Sequence, residues 1–150
     1  MTRQSQYCTF QLGPLFLGVE VAKVQEVIRH QQITRVPLAP PEMRGLVNLR
    51  GQIVMAIDLR RRFEMPDRAA TQLPTNVVLR TDDGAVSLLV DEIGDVLTVA
   101  EDLFEPSPET LRGIARELVR GVYKLRSQLL LILDTEKVMQ IPAQATVRTH

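Results

Sequence analysis

Fourteen residues of this chain occur twice in outline. Shifted by 76 positions, GLVNLRGQIVMAID (45–58) lies on GVYKLRSQLLLILD (121–134), with five identities and apolar residues facing apolar ones at seven further positions. Upstream and in the same order, VQEVI (24–28) lies on IGDVL (93–97) with a shift of 69. The seven-residue difference between the shifts fits one insertion in the second copy, in the connection over 100–118. Two half-chains built on one plan follow, roughly 13–70 and 71–140. Halves of about 65 residues are marginal alone, so they are expected to share a core.

Within each copy, valine, isoleucine and leucine fall in short bursts bounded by turn signals. The pattern predicts strands near 7–12, 15–20, 24–30, 45–50, 52–57, 76–81, 85–91, 93–99, 119–126 and 128–133. Gly13-Pro14, Arg50-Gly51, Asp82-Asp83-Gly84 and Arg126-Ser127 read as hairpin joins. Short helices are expected at LRRRFEM and TEKVMQI, each behind an aspartate able to cap it, and within SPETLRGIARELV. Many short strands at close spacing make a mainly β protein, a pair of small barrels or a sandwich.

The repeat reassigns residues that would otherwise look catalytic. Asp58 and Asp134 occupy the same place in both copies, so a duplicated helix cap explains them better than a catalytic carboxylate, which has no reason to recur. Glu26 aligns with Asp95 and Arg50 with Arg126. A bidentate Glu26–Arg50 pair across two strands is therefore expected, with a weaker Asp95–Arg126 counterpart.

Lys+Arg and Asp+Glu both number 18, so the chain carries no net charge, which disfavours a protein whose main business is polyanion. Locally, Arg44, Arg50, Arg60, Arg61 and Arg62 face only Asp58 within 44–62. Three uses are open to them: a solvated helix face, an interface with an acidic protein, or an RNA grip. The last lacks stacking partners, since aromatics are 4% of the chain and Trp is absent. Cys8, His30 and His150 cannot assemble a structural zinc site, and a single unpaired Cys suits a reducing cytoplasm. Cys8 reads as a small apolar strand residue. Neither a phosphate loop, a dinucleotide fingerprint nor a nucleophile elbow is present. Asp91 and Glu92, adjacent on a strand, would point to opposite faces and hold no cation together. No enzymatic activity, metal or cofactor is expected. The polar N-terminus and the lack of a long apolar run predict a soluble, cytoplasmic protein.

The blocks KVQEVI (23–28), VPLAPPEMRGLVNLRGQIVMAIDLRRRF (36–63) and LLVDEIGDVL (88–97), with their spacing, resemble the signature blocks of the CheW family, the coupling proteins of bacterial chemotaxis. The likeness runs over about 6–140, leaving 141–150 as an expected flexible tail. It implies two five-stranded SH3-like barrels around a common core, with the first strand and last helix free to cross between halves. It implies no catalysis. The implied role is an adaptor joining the regulatory domain of a CheA-type histidine kinase to the cytoplasmic tip of methyl-accepting chemoreceptors, at membrane-associated arrays. Related coupling proteins serve pilus, surface-sensing or second-messenger pathways, and an RNA-binding small barrel is the remote alternative. Carried over by position, Val24, Gly45 and Val96 fall where the family meets the receptor. Glu26 and Arg50 match its acid–arginine pair, and Asn48, Leu49, Gly51 and Gln52 lie where it meets the kinase. Val24 and Val96 could equally be core. Gly45 could serve a strand start, as Gly121 at the matching position suggests, or allow close approach of the partner; on the latter reading Gly45→Asp weakens receptor binding while the fold survives. Met55 stands where the family often carries Pro.

Overall fold

The computed structural model describes residues 2–141. Ten strands form: β1 (Gln4–Leu12), β2 (Leu15–Glu20), β3 (Val24–Ile28), β4 (Met43–Leu49), β5 (Gln52–Asp58), β6 (Thr75–Thr81), β7 (Gly84–Val90), β8 (Glu92–Ala100), β9 (Val119–Lys124) and β10 (Leu129–Leu133). Three short helices, α1 (Leu59–Arg62), α2 (Ile114–Leu118) and α3 (Thr135–Met139), complete the set with 3-10 turns at Val21–Lys23 and Glu101–Leu103. Every strand and helix expected from the pattern is present, with ends moved by up to three residues.

The strands make two five-stranded sheets of identical plan, ordered β3-β6-β7-β5-β4 and β8-β1-β2-β10-β9. Each contains one parallel pair in the same place, β5 with β7 and β10 with β2. The sheets do not follow the division into 13–70 and 71–140. The first sheet is one continuous stretch, 24–90, whereas the second joins β8–β10 to β1 and β2 from the start of the chain. The duplication is therefore circularly permuted. Its detectable part covers β3, β4 and β5 against β8, β9 and β10, and the two remaining strand pairs share too little sequence to reveal the phase. Of the tail expected over 141–150, Ile141 packs against the core and the rest lies outside the described residues.

One apolar cluster joins the sheets, as halves of this size require. Phe10, Leu12, Leu17 and Val19 from one sheet meet Ile57, Val77, Leu79 and Leu88 from the other, all essentially inaccessible to water. Each sheet also curls around a smaller cluster of its own, Val47, Leu49, Val54 and Val78 in the first and Tyr7, Tyr123, Leu130 and Ile132 in the second. Cys8 is buried, and burial pushes its thiol up, away from reactive thiolate.

The matching glycines serve the curl. After β3 the chain returns to bridge β4, with Thr34 and Leu46 exchanging two backbone hydrogen bonds of 2.8 Å. Glu105 and Val122 exchange the corresponding pair at 2.9 and 2.8 Å. Gly45, at φ +148°, and Gly121 lie beside these crossings. A Cβ on Gly45 would overlap the Thr34 carbonyl, and one on Gly121 would overlap the Phe104 ring and the Glu105 carbonyl oxygen. The two aspartates are likewise duplicated caps. Asp58 accepts from the Arg60 N–H and Asp134 from the Lys137 N–H, both at 3.1 Å.

Candidate functional site

The β4–β5 hairpin carries the residues singled out by the sequence. Leu49 pairs with Gln52, so the turn is only Arg50-Gly51, both at positive φ (52° and 88°). That geometry matches the right-handed twist of the flanking strands. Asn48 holds it, its Oδ1 accepting from the Gly51 N–H at 2.8 Å.

The turn aims Arg50 back across the sheet at β3. Its Nη1 and Nη2 donate to the two carboxylate oxygens of Glu26 at 2.8 and 2.7 Å, a fork-to-fork pair. Because β3 and β4 are opposite edges of the sheet, the pair spans the mouth where the edges approach. Arg50 remains largely in solvent, 76% exposed against 18% for Glu26. The guanidinium holds the Glu26 carboxyl below its usual range, against partial desolvation that pulls it up. The second sheet has no counterpart: Asp95 and Arg126 make no ion pair. There Leu129 pairs with Lys124, so the turn runs over four residues, and Ser127 stands where Gly51 supplies positive φ. Arg126 is consequently not aimed at β8.

The hairpin end displays Asn48, Gly51, Gln52 and, beyond them, Ile53, whose side chain is 59% exposed. Leu49 points inward, into the first sheet's own cluster. Sequence reasoning missed Ile53, although a signal existed. Its repeat partner Leu129 is also exposed, as are the matching Val27 and Val96. Apolar side chains offered to water at equivalent places in both sheets point outward by plan.

The three residues placed at the receptor differ in what they offer. Val24 is half-buried against the shared core, and Gly45 is buried with its backbone against Thr34. Val96, on the edge strand β8, is 55% exposed. The alternation of faces could not settle this because a bulge between Val24 and Glu26 and another between Cys8 and Phe10 reset it. The close fit around Gly45 also corrects the expectation that Gly45→Asp leaves the fold intact, since a carboxylate there would have to displace backbone.

Arg60, Arg61 and Arg62 are engaged by partners within the chain, which leaves neither a solvated helix face nor an RNA grip on α1, while Arg50 of the same cluster stays in solvent. Arg60 forks onto Asp91 at 2.9 and 2.7 Å. Arg61 forks onto Asp67 at 3.0 Å and donates to the Pro41 carbonyl. Arg62 is buried and donates to the carbonyls of Lys137, Val138 and Gln140, closing the C-terminal end of α3. Asp91 also takes the Arg68 Nε–H at 3.1 Å and the Gly13 N–H at 2.7 Å. Burial pushes the Asp91 carboxyl up, but these donors outweigh it and hold it below its ordinary value. No phosphate-binding strip is left on α1. Among the described residues no three His, Cys, Asp or Glu side chains converge as a metal site, and no helix is long and apolar enough to cross a membrane.

Two curled sheets of one plan, a shared core and a braced, solvent-facing hairpin define a scaffold-like β protein. Residues 6–143 match the family described as the CheW-like domain, and the chain belongs to that family, whose members are non-catalytic adaptors of chemotaxis signalling. The chemotaxis protein CheW of Treponema pallidum is 30% identical over 139 residues, 90% of this chain and 82% of that protein. The one from Klebsiella aerogenes is 32% identical over 142 residues, 95% of this chain and 86% of that protein. The scaffolding protein TtCheW of Thermoanaerobacter tengcongensis has the same fold, with a TM-score of 0.84 over 98% of this chain and 99% of that one, at 24% identity.

Proposed function

We propose that this chain couples a CheA-type histidine kinase to methyl-accepting chemoreceptors, binding the kinase's regulatory domain through the β4–β5 hairpin and the cytoplasmic receptor tip elsewhere. The array of membrane-associated receptors is then its place of work. The observation that carries the reading is the hairpin itself. Glu26 fixes Arg50 in one direction, and the same end presents Ile53 beside Asn48 and Gln52. An apolar anchor inside a polar rim is the usual anatomy of a protein interface. Pre-setting Arg50 removes ordering that a free arginine would undergo on binding. Receptor contact is assigned to Val24, Gly45 and Val96, of which Val96 alone is mostly in solvent, so it is the residue whose replacement tests that surface.

Calorimetric titration of the full chain into the regulatory domain of a CheA-type kinase from the same genome tests the first contact. Saturable one-to-one binding is expected, with Arg50→Ala and Ile53→Asp each raising Kd about tenfold while circular dichroism stays unchanged. An absence of binding with both proteins folded would mean that family and fold are shared without the kinase contact. Val96→Asp is expected to spare kinase binding and to reduce retention by receptor cytoplasmic fragments; equal retention would remove Val96 from the receptor surface.

A further inference from the structure

The second sheet opens at one end into a cavity of about 290 Å³ between Ser5, Tyr7, Glu20, Glu101, Phe104, Arg120 and Tyr123. Its floor is aromatic. Tyr7 and Tyr123 lie with ring centroids 5.6 Å apart, and Phe104 is 5.3 Å from Tyr123. Both tyrosines are buried, 5% and 2% exposed, yet among the described residues each hydroxyl has the other as its single protein partner, at 3.4 Å. Two phenols bring two donors and several lone pairs, and one long mutual bond leaves most of that capacity unused inside the fold.

The charges are equally unfinished. At the outer rim Arg120 lies 5.8 Å from the Phe104 ring centroid and 3.4 Å from Glu20, so the site already holds one cation between an aromatic face and a carboxylate. Glu101 accepts from the Ser5 hydroxyl at 2.6 Å and has no cationic partner among the described residues. Glu20 is held both by Arg120 and by Lys23, the latter at 3.5 Å, which leaves Glu101 as the carboxylate of the lining without a cation among the described residues. The first sheet has no such site, because Val47 stands at the repeat position of Tyr123 and its buried polar pair, Ser87 and Asn76, is satisfied at 2.7 Å.

We propose that this cavity binds a primary ammonium group, taken by the free side of Glu101, the phenol oxygens and the aromatic faces of Tyr7, Tyr123 and Phe104. An ammonium brings three donors and one positive charge to Glu101, which has no cationic partner among the described residues, and aromatic faces attract it further. A free alkylamine and a lysine side chain of a partner protein share this chemistry. The proposal is independent of the kinase contact.

The chain contains two tyrosines and no tryptophan, so its intrinsic fluorescence reports this site alone. Titration of the full chain with n-butylammonium chloride is expected to change tyrosine emission saturably, whereas sodium chloride and tetramethylammonium at equal ionic strength are not. Glu101→Gln, a change at an exposed carboxylate, is expected to raise the half-saturation concentration about tenfold, with Glu136→Gln on α3 as the unaffected control. Tyr7→Phe, which keeps the ring and leaves Tyr123 as reporter, is expected to weaken binding independently. An Nα-acetyl-lysine amide separates the sources: binding as tight as butylammonium assigns the site to a lysine side chain, and no binding assigns it to a free amine. A response that sodium reproduces, or that survives Glu101→Gln unchanged, overturns the proposal.

Discussion

Asp91→Ala is expected to destabilise the folded chain by about 3–5 kcal/mol, the usual consequence of removing one member of a buried ion pair. The carboxylate sits at the junction between the last strand of one sheet and the first of the other. It faces Arg60 and Arg68, whose side chains are nearly as inaccessible as its own, and caps the Gly13 N–H in the β1–β2 turn. Its loss removes the one carboxylate within ion-pair distance of Arg60 among the described residues, leaves Arg68 with Asp58 alone at 3.6 Å, and orphans a backbone donor. Denaturant unfolding followed by circular dichroism measures the difference, and a loss below about 1 kcal/mol would show the network to be no more than a surface ion pair. The effect has a defined pH dependence. The folded-state pKa of Asp91 lies below its ordinary value of 3.8, so its contribution is complete above that value and disappears as pH falls through the lowered one. The gap between wild type and Asp91→Ala is therefore expected to be constant near neutrality and to close in acid.

Gly45→Ala is expected to cost roughly 2–4 kcal/mol, combining backbone strain at a φ where side chains are disfavoured with overlap against a hydrogen-bonded carbonyl. The neighbour cannot yield cheaply, because Thr34 is tied to Leu46 in both directions. Gly121→Ala meets overlap alone, against Phe104 and Glu105, without the positive φ of Gly45. Gly51→Ala is the control, since a Cβ there meets nothing within 4 Å; the cost reduces to conformational strain of about 1–2 kcal/mol. Thermal unfolding of the three variants separates close packing from backbone preference. Equal shifts for Gly45 and Gly51 would mean that the crossing at Thr34 is looser than its geometry implies.

Much of this architecture was legible because strands and caps are local. Apolar bursts, turn residues and the two aspartates are read within a few positions, and the repeat then gave the pairing of halves. The phase of the repeat was not legible. The strands that complete each sheet bring different residues to matching places, such as Asn76 on β6 where β1 has Tyr7. The destination of the arginines was hidden too, since Asp91 lies 31 positions beyond Arg60 and adjacent charges look the same whether they face water or one another. At the hairpin, the acid–arginine alignment and the two-residue turn sufficed to bring Glu26 and Arg50 together. Their second copy did not form because one glycine is a serine and the turn is longer. The facing of Val24 and Val96 depended on bulges, which no periodicity records.

The permuted order of strands also bears on how the chain is made. The stretch 24–90 holds all five strands of one sheet, although its core also needs Phe10, Leu12, Leu17 and Val19 of the other. The β1–β2 hairpin emerges earlier still, yet the neighbours it needs, β8 and β10, are synthesised after that sheet is finished, β10 nearly last. Between the emergence of β7 and that of β10, then, the nascent protein carries every strand of one sheet and an N-terminal ribbon short of its neighbours. Such open edges invite misplaced pairing with other chains. Chaperone demand is therefore expected to fall on the first twenty residues, whose β1 lies beside the β8 edge that bears Val96.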